Sequence, residues 1–184
     1  MTAFLPLQIL AKFNLFLGAE GLEFKNAVCI GGAALAANHQ GLRVTQDIDL
    51  LTPIPSKIKE ASVRFAAAEG LAADWFNNRV VNLESCKPPG WGKNLVLIYE
   101  GSNLTVYSVS RESLLRIKTY AYCDRPEGPA IDLPDILSMR PTATEIADAS
   151  KWTLQEAKRQ RLSRKDVASF TAALAELRMK AIKI

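Results

Sequence analysis

CIGGAALAANHQGLRVTQDIDLL, Cys29 to Leu51, is the stretch on which the reading of this chain turns. An apolar run, Ala27-Val28-Cys29-Ile30, leads into Gly31-Gly32. The Ala-rich segment AALAAN follows, a second break falls near Gly41, and Arg43-Val-Thr45-Gln-Asp47-Ile-Asp49-Leu-Leu51 closes the stretch. This order reads as strand, glycine turn, short helix, strand. In the closing strand side chains alternate, so Arg43, Thr45, Asp47 and Asp49 share one face while Val44, Ile48 and Leu50 share the other. The apolar face packs on helices. A row of guanidinium, hydroxyl and two carboxylates has little use in a core, because buried charge is costly without partners. Two carboxylates about 6–7 Å apart along a strand repel each other unless a cation lies between them. Hard oxygen ligands of this kind suit Mg²⁺, which keeps several waters and takes one or two carboxylates plus substrate phosphates. Gly31-Gly32 supplies the complementary half: glycine lets the backbone approach a phosphate, and the first N–H groups of a helix over Ala33–Asn38 accept an anion. A Gly-Gly turn alone is a common helix start and Asp-x-Asp recurs by chance. One just ahead of the other is more specific, and points to phosphoryl or nucleotidyl transfer.

Working outward, Leu5, Ile9, Leu10, Phe13 and Leu17 recur at helical spacing, so a first helix covers residues 5–20 and stops at Gly18 or Gly21. After the central stretch, Ser56 caps a helix closed by Gly70. Trp75, Phe76, Val80, Val81 and Leu83 suggest a strand. The runs 94–100 and 104–109 flank Gly101-Ser-Asn103 as a hairpin. Ser110 caps a helix that runs to Cys123, and Pro126, Gly128 and Pro129 form a linker. Three helical patterns follow: Ile131–Met139, Thr142–Gln160 with Thr142-x-x-Glu145 as a capping box, and Ser163–Ile182. The expected architecture is α/β: a small mixed sheet flanked by helices over residues 1–123, with a helical extension over 124–184 packed on that core.

The chain has 184 residues, 48% hydrophobic and 23% charged, which is enough length for a core and the composition of a soluble protein. No apolar run reaches the ~18 residues that would cross a bilayer. The apolar N-terminus lacks a basic start and is interrupted by Lys12 and Asn14, so it reads as an amphipathic helix and not a signal peptide. Three cysteines, Cys29, Cys86 and Cys123, share no close metal-ligand spacing and suit reduced thiols in a cytoplasm. The single histidine, His39, excludes a His-rich metal centre. Residues 151–184 hold nine basic and three acidic residues, +6, which leaves −2 for residues 1–150 out of the net +4. Such a tail suits an RNA or tRNA partner, although a basic run is more often the solvated face of a helix.

Gly31-Gly32, a short helix, and Arg43-x-Thr45-x-Asp47-Ile-Asp49 resemble the signature of the polymerase-β-type nucleotidyltransferase superfamily. More closely, the chain is similar to bacterial minimal nucleotidyltransferase-like proteins related to the abortive-infection AbiE toxin. Asp74-Trp75-Phe76-Asn77-Asn78, the strand Leu104–Val109, and Ser110-x-Glu112-x-Leu-Leu-x-x-Lys118 leading to Arg125 and Asp132-x-x-Asp135-Ile136 extend the similarity over residues 25–137. The resemblance implies that Asp47 and Asp49 hold Mg²⁺, that Gly31 and Gly32 hold the triphosphate with Arg43, Thr45 and Lys118 near it, and that the setting is toxin–antitoxin or phage defence, with a protein partner such as an antitoxin. Active members carry a third carboxylate on a neighbouring strand. Here the runs 94–99 and 104–109 contain no acid, and Glu100 at the hairpin edge is the candidate. The spacing of Asp132 and Asp135 also suits first-turn acids favoured by the helix dipole. A catalytically impaired nucleotide- or partner-binding module of the same fold is the alternative.

Overall fold

The computed structural model describes residues 6–39, 45, 47–125 and 128–181. Among them are five strands in one mixed sheet and seven α-helices, an α/β fold with a helical C-terminal region. The chain divides into two compact units, Met1–Cys86 with Gly90–Ser110, and Lys87–Pro89 with Arg111–Ile184. The division falls at Ser110, one helix ahead of the linker expected from the sequence.

In the first unit α1 (Pro6–Ala19) buries Ile9, Leu10, Phe13 and Leu17 on the predicted stripe. Gly21, at φ 65°, ends it, and Leu22 N reaches back to Leu17 O, the bond that closes a Schellman turn. The sheet runs β3 (Phe76–Asn77), β2 (Ile48–Leu50), β1 (Phe24–Ile30), β5 (Leu104–Ser108), β4 (Val96–Glu100). β1 is the central strand, antiparallel to β2 and parallel to β5, and Ala27 to Ile30 are all buried, which is why the run is apolar without alternation. Between β1 and β2 lies α2 (Gly31–His39), and after β2 comes α3 (Ser56–Glu69). Phe13 packs on Phe65, Trp75 and Phe76 with ring centroids 5.1, 5.2 and 5.4 Å away. Trp75 is therefore a core residue, with its indole N–H donating to Ser62 O. Asn14 on α1 accepts from the main-chain N–H of Asn103 and Leu104 and so ties down the β4–β5 turn.

Three local expectations change. Ser56 is the first residue of α3 and not its cap, because Pro55 occupies the capping position and no side chain bonds the first turn. The strand suggested by Trp75 to Leu83 is limited to Phe76–Asn77, followed by turns and a 3-10 turn at Glu84–Cys86. Gly128 and Pro129 belong to a helix and not to a linker. In the second unit α4 (Arg111–Asp124) is followed by α5 (Gly128–Ser138), and proline fits an opening turn because its missing N–H would have no partner there. Then come α6 (Ala143–Arg159) and α7 (Arg164–Ala181), around a core in which Tyr120 stacks edge-on to Phe170 at 5.5 Å and lies 6.1 Å from Trp152. The capping box of α6 forms as the sequence predicts: Glu145 N donates to Thr142 Oγ1 and Thr142 N to Glu145 Oε2. No helix among the described residues is long and apolar enough to cross a membrane.

Candidate functional site

The glycine turn and the acidic strand meet at the C-terminal end of β1. Cys29 stands opposite Leu50 and Ile30 opposite Asp49, so Gly31 begins beside Asp49. The pairing is reinforced past the strand, where Leu51 N donates to Val28 O and Val28 N to Thr52 Oγ1. Ile48 and Leu50 are buried, Asp49 is half-buried and Asp47 exposed, which is the alternation read from the sequence, although the regular strand covers only three residues.

Each glycine has a different physical reason. Gly31 adopts φ 74°, a left-handed backbone that side chains rarely take, and a Cβ there would lie 3.4 Å from Asp49 Oδ2. Gly32 faces the acidic segment from the other side: a Cβ would sit 3.1 Å from both Cβ and Oγ1 of Thr45. Both glycines lie within α2 and not ahead of it, so the helix starts at the turn itself. Thr45 is buried, and its hydroxyl lies 3.1 Å from the main-chain O and from Oδ1 of Asp47. Gly31, Gly32, Thr45, Asp47 and Asp49 therefore form one cluster, while Arg43 lies outside the described residues. Burial pushes the Cys29 thiol beneath this cluster up to about 12, and Asp49 adds to the shift. That thiol stays protonated and unreactive at neutral pH, as expected from its place on a buried strand.

Glu100 does not join the cluster. It pairs with Thr105 on the outer strand β4, three strands from β2, which is about 14 Å at ordinary strand spacing. It also lies towards the opposite end of the sheet, since Leu104 is level with Phe24 at the start of β1 and Asp49 with Ile30 at its end. On β5 the positions on the face of Asp49 that lie nearest to it are Tyr107, paired with Val28, and the following Val109. Neither is an acid. The residue paired with Asp49 on its other side is Asn77 of β3, buried, its Oδ1 accepting from Arg79 N. Sequence reading did not single out Asn77, although it lies in the quoted Asp74–Asn78 segment.

Among the described residues no group of three or more His, Cys, Asp or Glu side chains could hold a metal ion. Asp47 and Asp49 still offer hard oxygen donors, with the Thr45 hydroxyl beside them. That donor set fits Mg²⁺, whose remaining positions are ordinarily filled by water and phosphate oxygens.

Lys118 has a different setting. It is 7% exposed and bonds Asp132 Oδ1 at 3.1 Å and Asp135 Oδ2 at 2.5 Å. Arg125 makes a two-pronged contact to Asp132, both bonds 2.8 Å. The two carboxylates, read from spacing as first-turn acids, are instead buried on the fifth and eighth residues of α5 because the helix starts at Gly128. Two cations and two carboxylates balance, as a buried cluster requires. The ammonium of Lys118, assigned by resemblance to a triphosphate, is thus held by two carboxylates within the second unit. No family model, curated protein or solved structure matches the chain.

Proposed function

We propose that this chain is a nucleotidyltransferase-type protein whose first unit binds a nucleoside triphosphate together with Mg²⁺ at the cluster of Gly31, Gly32, Thr45, Asp47 and Asp49. The observation that carries the reading is the approach of Asp49 to the glycine turn: the missing Cβ of Gly31 leaves open a space 3.4 Å from the carboxylate oxygen. Glycine at the start of a helix lets main-chain N–H groups meet phosphate oxygens, and the two aspartates face the same place with opposite charge preference. When bound, Mg²⁺ would neutralise charge on the triphosphate and on a departing pyrophosphate. The chain's own share is positioning: the glycine turn orients the phosphates, and Asp47 and Asp49 would hold the Mg²⁺ beside them while an acceptor hydroxyl attacks the α-phosphate and pyrophosphate leaves. The acceptor fitted to the second unit is RNA, through the exposed Lys158, Arg161, Arg164 and Lys165 at the turn between α6 and α7.

A second reading, nucleotide binding without transfer, is favoured by one observation: Glu100 stands three strands away, and no residue of β5 brings a carboxylate beside Asp49. One experiment separates the two. The protein is incubated with each labelled triphosphate and Mg²⁺, with and without cell RNA and protein, and both retained and transferred label are measured. Transfer that disappears in Asp49→Asn supports the enzyme. Retention without transfer, also lost in Asp49→Asn, supports the binding module. An Asp49→Asn protein that binds every triphosphate as well as the unaltered chain would sink both.

A further inference from the structure

Thr45 is the buried polar side chain of the cluster, 5% exposed, yet it sits between two groups that sequence reading treats as separate. On one side its Oγ1 lies 3.1 Å from both Asp47 O and Asp47 Oδ1. On the other its Cβ and Oγ1 are 3.1 Å from where a Cβ on Gly32 would be, so a side chain there would press on the threonine and shift it. Both Asp47 oxygens are acceptors, and the hydroxyl proton is the donor between them. Asp47 is exposed, and an exposed aspartate with no such bond samples several staggered rotamers.

We infer that Thr45 is a positioning residue: seated against Gly32, its hydroxyl holds the Asp47 carboxylate in a single rotamer ready for a divalent cation. The cation rests on the nucleotide-binding reading above; the hydrogen bond does not. Gly32 then serves two neighbours, a phosphate on its main-chain side and Thr45 on its Cα side. The hydroxyl assigned by resemblance to the triphosphate acts through Asp47.

The test compares Thr45→Val, which keeps the shape and removes the donor, with Thr45→Ser, which keeps the donor. The Hα–Hβ coupling constants of Asp47 report its rotamers by NMR, and titration with Mn²⁺ followed by electron paramagnetic resonance reports the cation. Expected are one rotamer in the unaltered chain and in Thr45→Ser, averaged couplings in Thr45→Val, and a roughly 10-fold weaker Mn²⁺ affinity in Thr45→Val alone, the usual loss when a partner of a metal ligand is removed. Gly32→Ala, whose Cβ would press on Thr45, should also average the couplings, and it serves if Thr45→Val does not fold. Unchanged couplings in Thr45→Val or in Gly32→Ala, or failure of Thr45→Ser to restore them, overturn the inference. Averaged couplings in Thr45→Val with no Mn²⁺ bound by the unaltered chain leave Thr45 as the positioning residue and remove the metal reading.

Discussion

Asp132 shows how burial changes what a residue means. It is 0% exposed and takes three hydrogen bonds, one from Lys118 and two from Arg125. Removing one partner from a buried charge cluster leaves the others uncompensated, a cost of about 3–5 kcal/mol. Asp132→Asn should therefore lower the unfolding free energy by about 3 kcal/mol in urea titration. A loss below about 1 kcal/mol would mean that the cluster adds little to stability. The spacing of Asp132 and Asp135 was readable in sequence, but the partners are Lys118 of α4 and Arg125 just after it, and no local pattern names them. Thr45 is the opposite case. Its residue type and its face were legible, while the bond that defines its role runs two residues along an irregular segment.

At the scale of the element, α6 is held at its start by the Thr142–Glu145 capping box, and Arg111 of α4 bonds the same glutamate. The Arg111 guanidinium, followed by the Thr142 main-chain N–H, holds the Glu145 carboxyl well below its usual range, at about 2. A carboxyl whose folded value lies below its unfolded value of about 4.5 stabilises the fold fully above pH ~4.5, and that contribution fades as the pH falls towards 2. The urea midpoint should thus fall over this acid window in the unaltered chain, and fall less in Glu145→Gln. Identical pH profiles would refute the linkage. Because Glu145 is about a third exposed, solvent screens its ion pair, and the cap is the firmer quantity. Thr142→Ala should cost about 1 kcal/mol by the same measurement. This helix was the most legible in the sequence, since a capping box is local. The short extents of β2 and β3 were not, because where a strand stops depends on pairing partners distant in the chain.

Over the whole molecule charge is divided unevenly between the units. The second holds fifteen basic and ten acidic residues, +5, and the first eight and nine, −1. Arg159 is engaged by Glu156, whereas Lys158 and Arg164 line a hollow of about 330 Å³ with Leu162 and Val167. Arg161 stands beside it at φ 58°, a conformation that glycine more often takes. If Lys158, Arg161, Arg164 and Lys165 each neutralise one RNA phosphate, log affinity for single-stranded RNA should fall against log salt with a slope of about −3, from roughly 0.7 per phosphate. Replacing Arg161 and Arg164 with glutamine should reduce the magnitude of that slope by about 1.4. Affinity indifferent to salt, or none, would remove RNA as the partner.

The sequence by itself determined the order of elements from α1 to α7, the glycine turn ahead of the acidic strand and the two faces of that strand. These follow from periodicity, turn chemistry and caps, which act over a few residues. Only the tertiary structure decided which of the proposed site residues share one place. Sheet register put Asp49 beside Gly31 and took Glu100 to the far strand. Side-chain packing set Thr45 against Gly32 and closed Lys118 into a neutral cluster. Strand order and helix packing join residues far apart in the chain, and the energy that chooses between pairings belongs to the assembled core and not to any single stretch.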